Sequence, residues 1–130
     1  MDLIHIPMSP GELLDKITIL EIKSERMDDA AKVANVRTEL ALLQKTWADA
    51  VTSDATVQRL HGELKAINEA LWEIEDDIRD KERVKEFDER FIELARAVYV
   101  TNDQRAAAKK ALNLHLGSTI VEEKSYQDYS

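Results

Sequence analysis

The stretch Val57–Glu82, VQRLHGELKAINEALWEIEDDIRDKE, decides the fold. Its apolar residues fall at Val57, Leu60, Leu64, Ile67, Leu71, Ile74 and Ile78, in alternating steps of three and four. Only an α-helix gathers that spacing into one stripe, and strict alternation is the seam of coiled-coil-like packing. At 1.5 Å per residue the helix is roughly 40 Å long. Alone in water it would wet the whole seam, so other segments must cover it. The segment before it carries a similar seam at Val33, Val36, Leu40, Leu43, Trp47 and Val51, on a helix expected over about Ala30–Val51 with Asp28 or Asp29 as its cap. Only Thr52, Ser53 and Asp54 separate the two. So short a link predicts antiparallel neighbours, a long central helical hairpin.

Working outward, residues 1–8 (MDLIHIPM) read as an extended arm or short strand, because Pro7 forbids helix up to that point. A strong start signal follows. Ser9 can cap, Pro10 takes the first helical position, Glu12 completes a capping box, and Met8 with Leu13 forms a hydrophobic staple. The helix predicted from Pro10 to about Met27 is apolar over a wide arc: Leu13, Leu14, Ile17, Ile19, Leu20, Ile22 and Met27. That width predicts neighbours on two or more sides, within the bundle or across a subunit interface. Asp15, Lys16, Glu21, Lys23 and Glu25 fill the remaining arc.

Beyond Ile78 a solvated run leads to a fourth helix starting near Phe87 or Asp88, with Phe91, Leu94, Ala95 and Val98 on its apolar face. The pattern falters at Thr101–Asp103, and the next seam positions carry Arg105 and Lys109 before Leu112 and Leu116 restore it. Thr101 with Gln104 reads as a second capping box, so a break into two helices is expected as an alternative there. Gly117 is the expected C-cap. The tail, with β-branched Thr119, Ile120 and Val121, has no helical face and can pair with the N-terminal arm as a two-stranded ribbon. The whole reads as one all-α domain over 1–130: an arm at 1–8, an antiparallel bundle of four helices (five with the break) at 9–116, and an extended tail at 117–130.

Composition bounds the function. The 130 residues include three Gly, two Pro and no Cys, and carry a net charge of −8. Such a surface argues against general nucleic-acid binding or a basic membrane-surface helix. Without cysteine there is no disulfide and no thiolate-held zinc. No apolar run approaches the ~18 residues of a membrane span, and the N-terminus does not read as a secretion signal, so a cytoplasmic location is expected.

Chemistry is harder to read. Beside the seam of the third helix runs a polar row at helical spacing: Lys65, Asn68, Trp72, Glu75 and Arg79, with His61 one turn earlier. One reading is a solvated flank of weak surface pairs. The sharper one is a polar groove between helices 3 and 4, completed by Arg96, Asn102 and Arg105. Glu73 with Asp76, and Glu86 with Glu89, have the i, i+3 spacing of magnesium-holding helices, though a charged surface helix produces such pairs by chance. His5, His61 and His115 are scattered, Ser9 reads as a cap, and Gly11 and Gly62 are isolated, so metal, nucleophile and phosphate-loop motifs are all missing. Gly62, inside a helix, suggests a close helix approach. No cofactor is called for.

Four stretches carry a likeness: SPGELLDKITILEIKSER (Ser9–Arg26), LKAINEALWEIEDDIRD (Leu64–Asp80), FIELARAVYVTND (Phe91–Asp103) and IVEEKSY (Ile120–Tyr126). In these the chain resembles a bacterial family of short stand-alone proteins of unknown function, loosely associated with surface-polysaccharide biosynthesis. The resemblance implies no activity and assigns no residue a role. The first functional expectation is therefore an interaction or assembly module. It self-associates, a dimer first, through helix 1 and the exposed sides of Leu42 and Trp72, with helix 1 or the tail open to a protein partner. The competing expectation is a ligand-binding or enzymatic bundle for an anionic, phosphate- or sugar-nucleotide-like molecule. There Arg79, Arg96 and Arg105 would hold the charge and Glu75 would serve as acid or base.

Overall fold

A computed structural model describes residues 1–130. It contains four α-helices and no strand: α1 Pro10–Arg26, α2 Ala30–Ala50, α3 Ala55–Arg83 and α4 Glu89–His115. Each begins where a short polar side chain accepts an otherwise free backbone N–H: Ser9 from Glu12, Asp29 from Lys32, Asp54 from Val57 and Asp88 from Phe91. Past the end of α4, Gly117 takes the left-handed conformation, with φ 66°.

Helix α1 touches all three others. Its wide apolar arc is used accordingly, with Leu14, Ile17, Leu20 and Ile22 all buried. The upper seam of α3 (Val57, Leu60 and Leu64) forms the core with Leu14 of α1 and Ala108 and Leu112 of α4. Helices α3 and α4 make the long hairpin. Asp54–His115 pairs their upper ends and Asp77–Arg90 and Lys81–Asp88 their lower ends, so the two run antiparallel over most of their length.

The expected hairpin of α2 with α3 does not form. Helix α2 packs on α1 and makes no helix–helix contact with α3; only Trp47 near its end reaches the core. Val36 is its single buried residue. The chain leaves α2 through an extended Val51 and enters α3 through an extended Asp54. Helix α3 packs instead on α1 and on α4, which at 27 residues is longer than the 21-residue α2.

Three further expectations are corrected. Helix α4 runs unbroken through Thr101, which is buried, because the polar seam residues Arg105 and Lys109 find carboxylates on α1. No terminal ribbon exists: the arm and the tail are extended but unpaired as strands. Gly62 faces open space, and the close approach is at Gly11 instead. A methyl group there would lie 2.5 Å from the carbonyl oxygen of Lys109 and 2.9 Å from Asn113 Oδ1. Asn113 exploits that proximity, accepting a hydrogen bond from the Gly11 N–H at 2.7 Å and so capping α1 from α4.

The surface is large for the mass. A compact monomer of this size exposes about 7,000 Å², whereas this chain exposes 8935 Å². No helix is long and apolar enough to cross a membrane.

Candidate functional site

Where α1, α3 and α4 meet, the core is polar. Asp15, Thr18 and Asn68 are buried there, Asp15 at 1% exposure. The Arg105 guanidinium from α4 grips the Asp15 carboxylate with two parallel bonds, Nε to Oδ1 at 2.8 Å and Nη2 to Oδ2 at 2.5 Å. Asn68 of α3 donates through Nδ2 to Asp15 Oδ1 and to Thr18 Oγ1, each at 2.9 Å. The Thr18 hydroxyl in turn donates to the Asp15 carbonyl at 2.8 Å. No buried side-chain polar atom is left without a partner. The bond from Asp15 stabilises the charged guanidinium and raises the Arg105 pKa above the ordinary arginine value. An apolar pair of the same volume would hold the helices at least as firmly. What the network adds is position: it fixes a planar set of N–H donors at one point.

Beside that point opens a groove of about 500 Å³. Ile19 and Ile22 of α1 and Leu71 and Trp72 of α3 supply its apolar part, while Asn68, Glu75, Asp76 and Arg79 of α3 and Asn102 and Arg105 of α4 supply the polar part. Six of the eight residues expected from sequence therefore come together: Asn68, Trp72, Glu75, Arg79, Asn102 and Arg105. The other two do not. Lys65 is turned toward α1, where its ammonium meets Glu25 at 2.5 Å. Arg96 is exposed and lines no part of the groove. The groove also differs from expectation in having α1 as a third wall.

Neither groove arginine is unpaired. Arg79 bonds Glu75 one turn away, and Arg105 holds Asp15 while its Nη1 reaches Asn102 Oδ1 at 3.4 Å. Carboxylates thus balance the cations locally. An anion here would be recognised by directed N–H groups and by the Trp72 wall rather than by net positive potential.

A smaller cavity of about 270 Å³ adjoins the groove and shares Asn102 and Arg105 with it. Its other walls include Glu12 of α1, Lys109 of α4, and Glu122 and Lys124 of the tail. The Lys109 ammonium lies 2.7 Å from Glu12 and 3.0 Å from Glu122. Burial works against its charge, but the bonds from the two carboxylates outweigh it and raise its pKa. The tail runs back along α4, with Glu123 3.3 Å from Lys110 and the Tyr129 hydroxyl donating to Asp103 at 2.6 Å. Tyr129 also sets its ring edge-on to Tyr99. A larger space of about 700 Å³ lies near the end of the tail, but its tyrosines Tyr99, Tyr126 and Tyr129 are all exposed and no buried charge adjoins it.

The carboxylates with magnesium-like spacing do not gather. Glu73 pairs with Arg26 and Glu86 with Lys81, and no three His, Asp or Glu side chains converge on a common point. Sequence reasoning overlooked Asp15, Thr18, Glu12, Lys109, Asn113 and Glu122. A signal existed for the central ones: Arg105 and Lys109 stand at seam positions of α4, and such cations call for inward-facing acids on a neighbouring helix.

Fold and site together define a small all-helical protein with an open groove, part aromatic and part hydrogen-bonding, built around a buried Asp–Arg pair. Residues 4–129 match the model of a family of unknown function (DUF6165), and the chain belongs to that family. No curated protein and no solved structure matches it.

Proposed function

We propose that the protein binds a small anionic molecule with a flat or apolar part in the groove between α1, α3 and α4. One observation carries this reading: Arg105, held by a carboxylate that is 1% exposed, stands at the edge of an open groove walled by Trp72. A buried ion pair is a poor way to add stability, and a well-packed apolar pair would serve a purely structural junction at least as well. Its use at the mouth of a groove fits the fixing of a donor for a ligand oxygen. Glu75 and Arg79 lie on the rim and would contact the polar part of the ligand.

A thermal-shift screen with nucleotide sugars, nucleoside phosphates, sugar phosphates and dicarboxylates, with and without Mg²⁺, tests the proposal. A ligand should raise the Tm of the wild type. Arg79→Ala, at an exposed site, should abolish the shift while leaving the unliganded Tm nearly unchanged, and Trp72→Ala, at a partly buried one, should abolish it from a lower starting Tm. No shift from any compound would remove the reading.

A second reading, self-association, is supported by the surface area. The excess of roughly 2,000 Å² over a compact monomer is more than the ~800 Å² that each partner buries in a standard interface, so one chain has surface enough to cover another. Sedimentation velocity at high micromolar concentration should then show a species of twice the 14.8 kDa chain mass. A single monomer peak would dismiss it.

A further inference from the structure

The corner around Lys109 is occupied by the chain itself. We propose that Lys109 and Arg105 form an oxyanion subsite in which Glu122 of the tail stands in for the carboxylate or phosphate group of a ligand, which displaces the tail on binding. This rests on the groove reading, because Arg105 and Asn102 belong to both cavities.

Four observations lead there. Lys109 is buried and already meets Glu12 at 2.7 Å, so its charge has a partner without the tail. Glu122 brings a second carboxylate to 3.0 Å all the same. The tail is acidic, with Glu122, Glu123 and Asp128 against Lys124, and it docks on a protein of net charge −8. Its two glutamates settle on two successive lysines of α4, Glu122 on Lys109 and Glu123 on Lys110.

The attachment is also of a kind that can be undone. Past Ser118 the tail makes no backbone–backbone hydrogen bond to the helices; side-chain ends alone hold it. Beside it lies the cavity of about 270 Å³, which shares Asn102 and Arg105 with the groove. A molecule seated against Trp72 with its anionic end directed past Arg105 would arrive at Lys109. There it meets a tethered competitor whose effective concentration is millimolar for a short flexible link. A free oxyanion therefore needs millimolar or higher concentrations to win. A ligand that also fills the groove needs far less.

The test uses the full-length ¹⁵N-labelled chain titrated with sodium malonate, sodium pyrophosphate, or sodium chloride at matched ionic strength. Malonate, pyrophosphate or both should shift the amide signals of residues 119–130 toward sharp, flexible-chain positions, and chloride should not. Glu122→Gln should show those tail signals partly shifted before any addition and bind the effective oxyanion several-fold more tightly. Lys109→Met should lose the response; if that variant does not fold, the Glu122→Gln comparison decides alone. Release by malonate only assigns a carboxylate to the ligand, and release by pyrophosphate only assigns a phosphate. Equal release by chloride, no release by either oxyanion, or an unchanged affinity in Glu122→Gln would overturn the subsite. A metabolite shift that needs Trp72 while the tail stays put keeps the groove and removes the subsite. Oxyanion-driven release without any metabolite shift does the reverse.

Discussion

Helices α2 and α3 carry the same kind of apolar seam and meet different fates. In α3, Val57, Leu60 and Leu64 are sealed between α1 and α4. In α2, Leu40, Leu43 and Trp47 remain partly wetted and only Val36 is buried. The spacing of the two seams is nearly identical, but the number of neighbours is not: α3 has two helices against it and α2 has one. Spacing three and four specifies a helix and a face that needs cover. It does not specify what covers it.

The largest effect should come from the side of α1 that faces α3 and α4. Asp15→Ala leaves Arg105 without its carboxylate and should cost about 3 kcal/mol in urea unfolding, near the low end for a broken buried pair because Arg105 keeps partial access to water. The double variant Asp15→Leu with Arg105→Met should regain the whole of that loss. Glu39→Ala, exposed on α2, should change stability by less than about 0.5 kcal/mol. Equal costs at positions 15 and 39 would erase the contrast.

The seams themselves come next. Leu64→Ala, at 1% exposure, should cost about 3 kcal/mol, and Leu43→Ala in α2 about 1 kcal/mol. A Leu43 cost as large as that of Leu64 would mean that α2 is covered in solution, as self-association through this helix requires.

The glycines sharpen the comparison within the core side. Gly11→Ala drives a methyl group against the α4 backbone and should destabilise by about 1–3 kcal/mol. Gly62→Ala meets open space and should stabilise by about 0.5–1 kcal/mol through its helix propensity. Opposite signs in thermal unfolding are the expected result.

The smallest effect is on acidification. Asp54 is held below its usual pKa of 3.8 by the Val57 N–H and then by His115, and Asp88 by Lys81 and then by the Phe91 N–H. Groups lowered in the folded state contribute stability that is present above 3.8 and is lost as the pH falls through their lowered values. Helicity by circular dichroism should therefore decline below about pH 4 at the starts of α3 and α4. Asp54→Asn with Asp88→Asn should flatten that decline.

Much of this was legible along the chain. The caps Ser9 and Asp29 and the terminator Gly117 act through hydrogen bonds or torsions within a few residues, so local sequence locates those helix ends to within one or two positions. The polar row of α3 was also visible, because Asn68, Trp72, Glu75 and Arg79 follow helical spacing beside the seam. Lys65 fitted the same row and Arg96 was expected to complete the groove from α4, but neither lines it. Lys65 found Glu25 on a helix forty residues earlier, a contact that no spacing within α3 encodes. Asp15 was hidden for a related reason, since an acid on an amphipathic helix reads as solvent-facing until the inward arginine opposite it is located.

By itself the sequence determined four helices, their ends, and the wide apolar arc that lets α1 stand between the others, because caps and periodicity act over a turn or two. Only the tertiary structure decided that α3 pairs with α4 rather than α2, that Asp15 and Arg105 meet inside, and that the tail lies on Lys109. Those outcomes depend on contacts between residues tens of positions apart, which no spacing within one helix encodes.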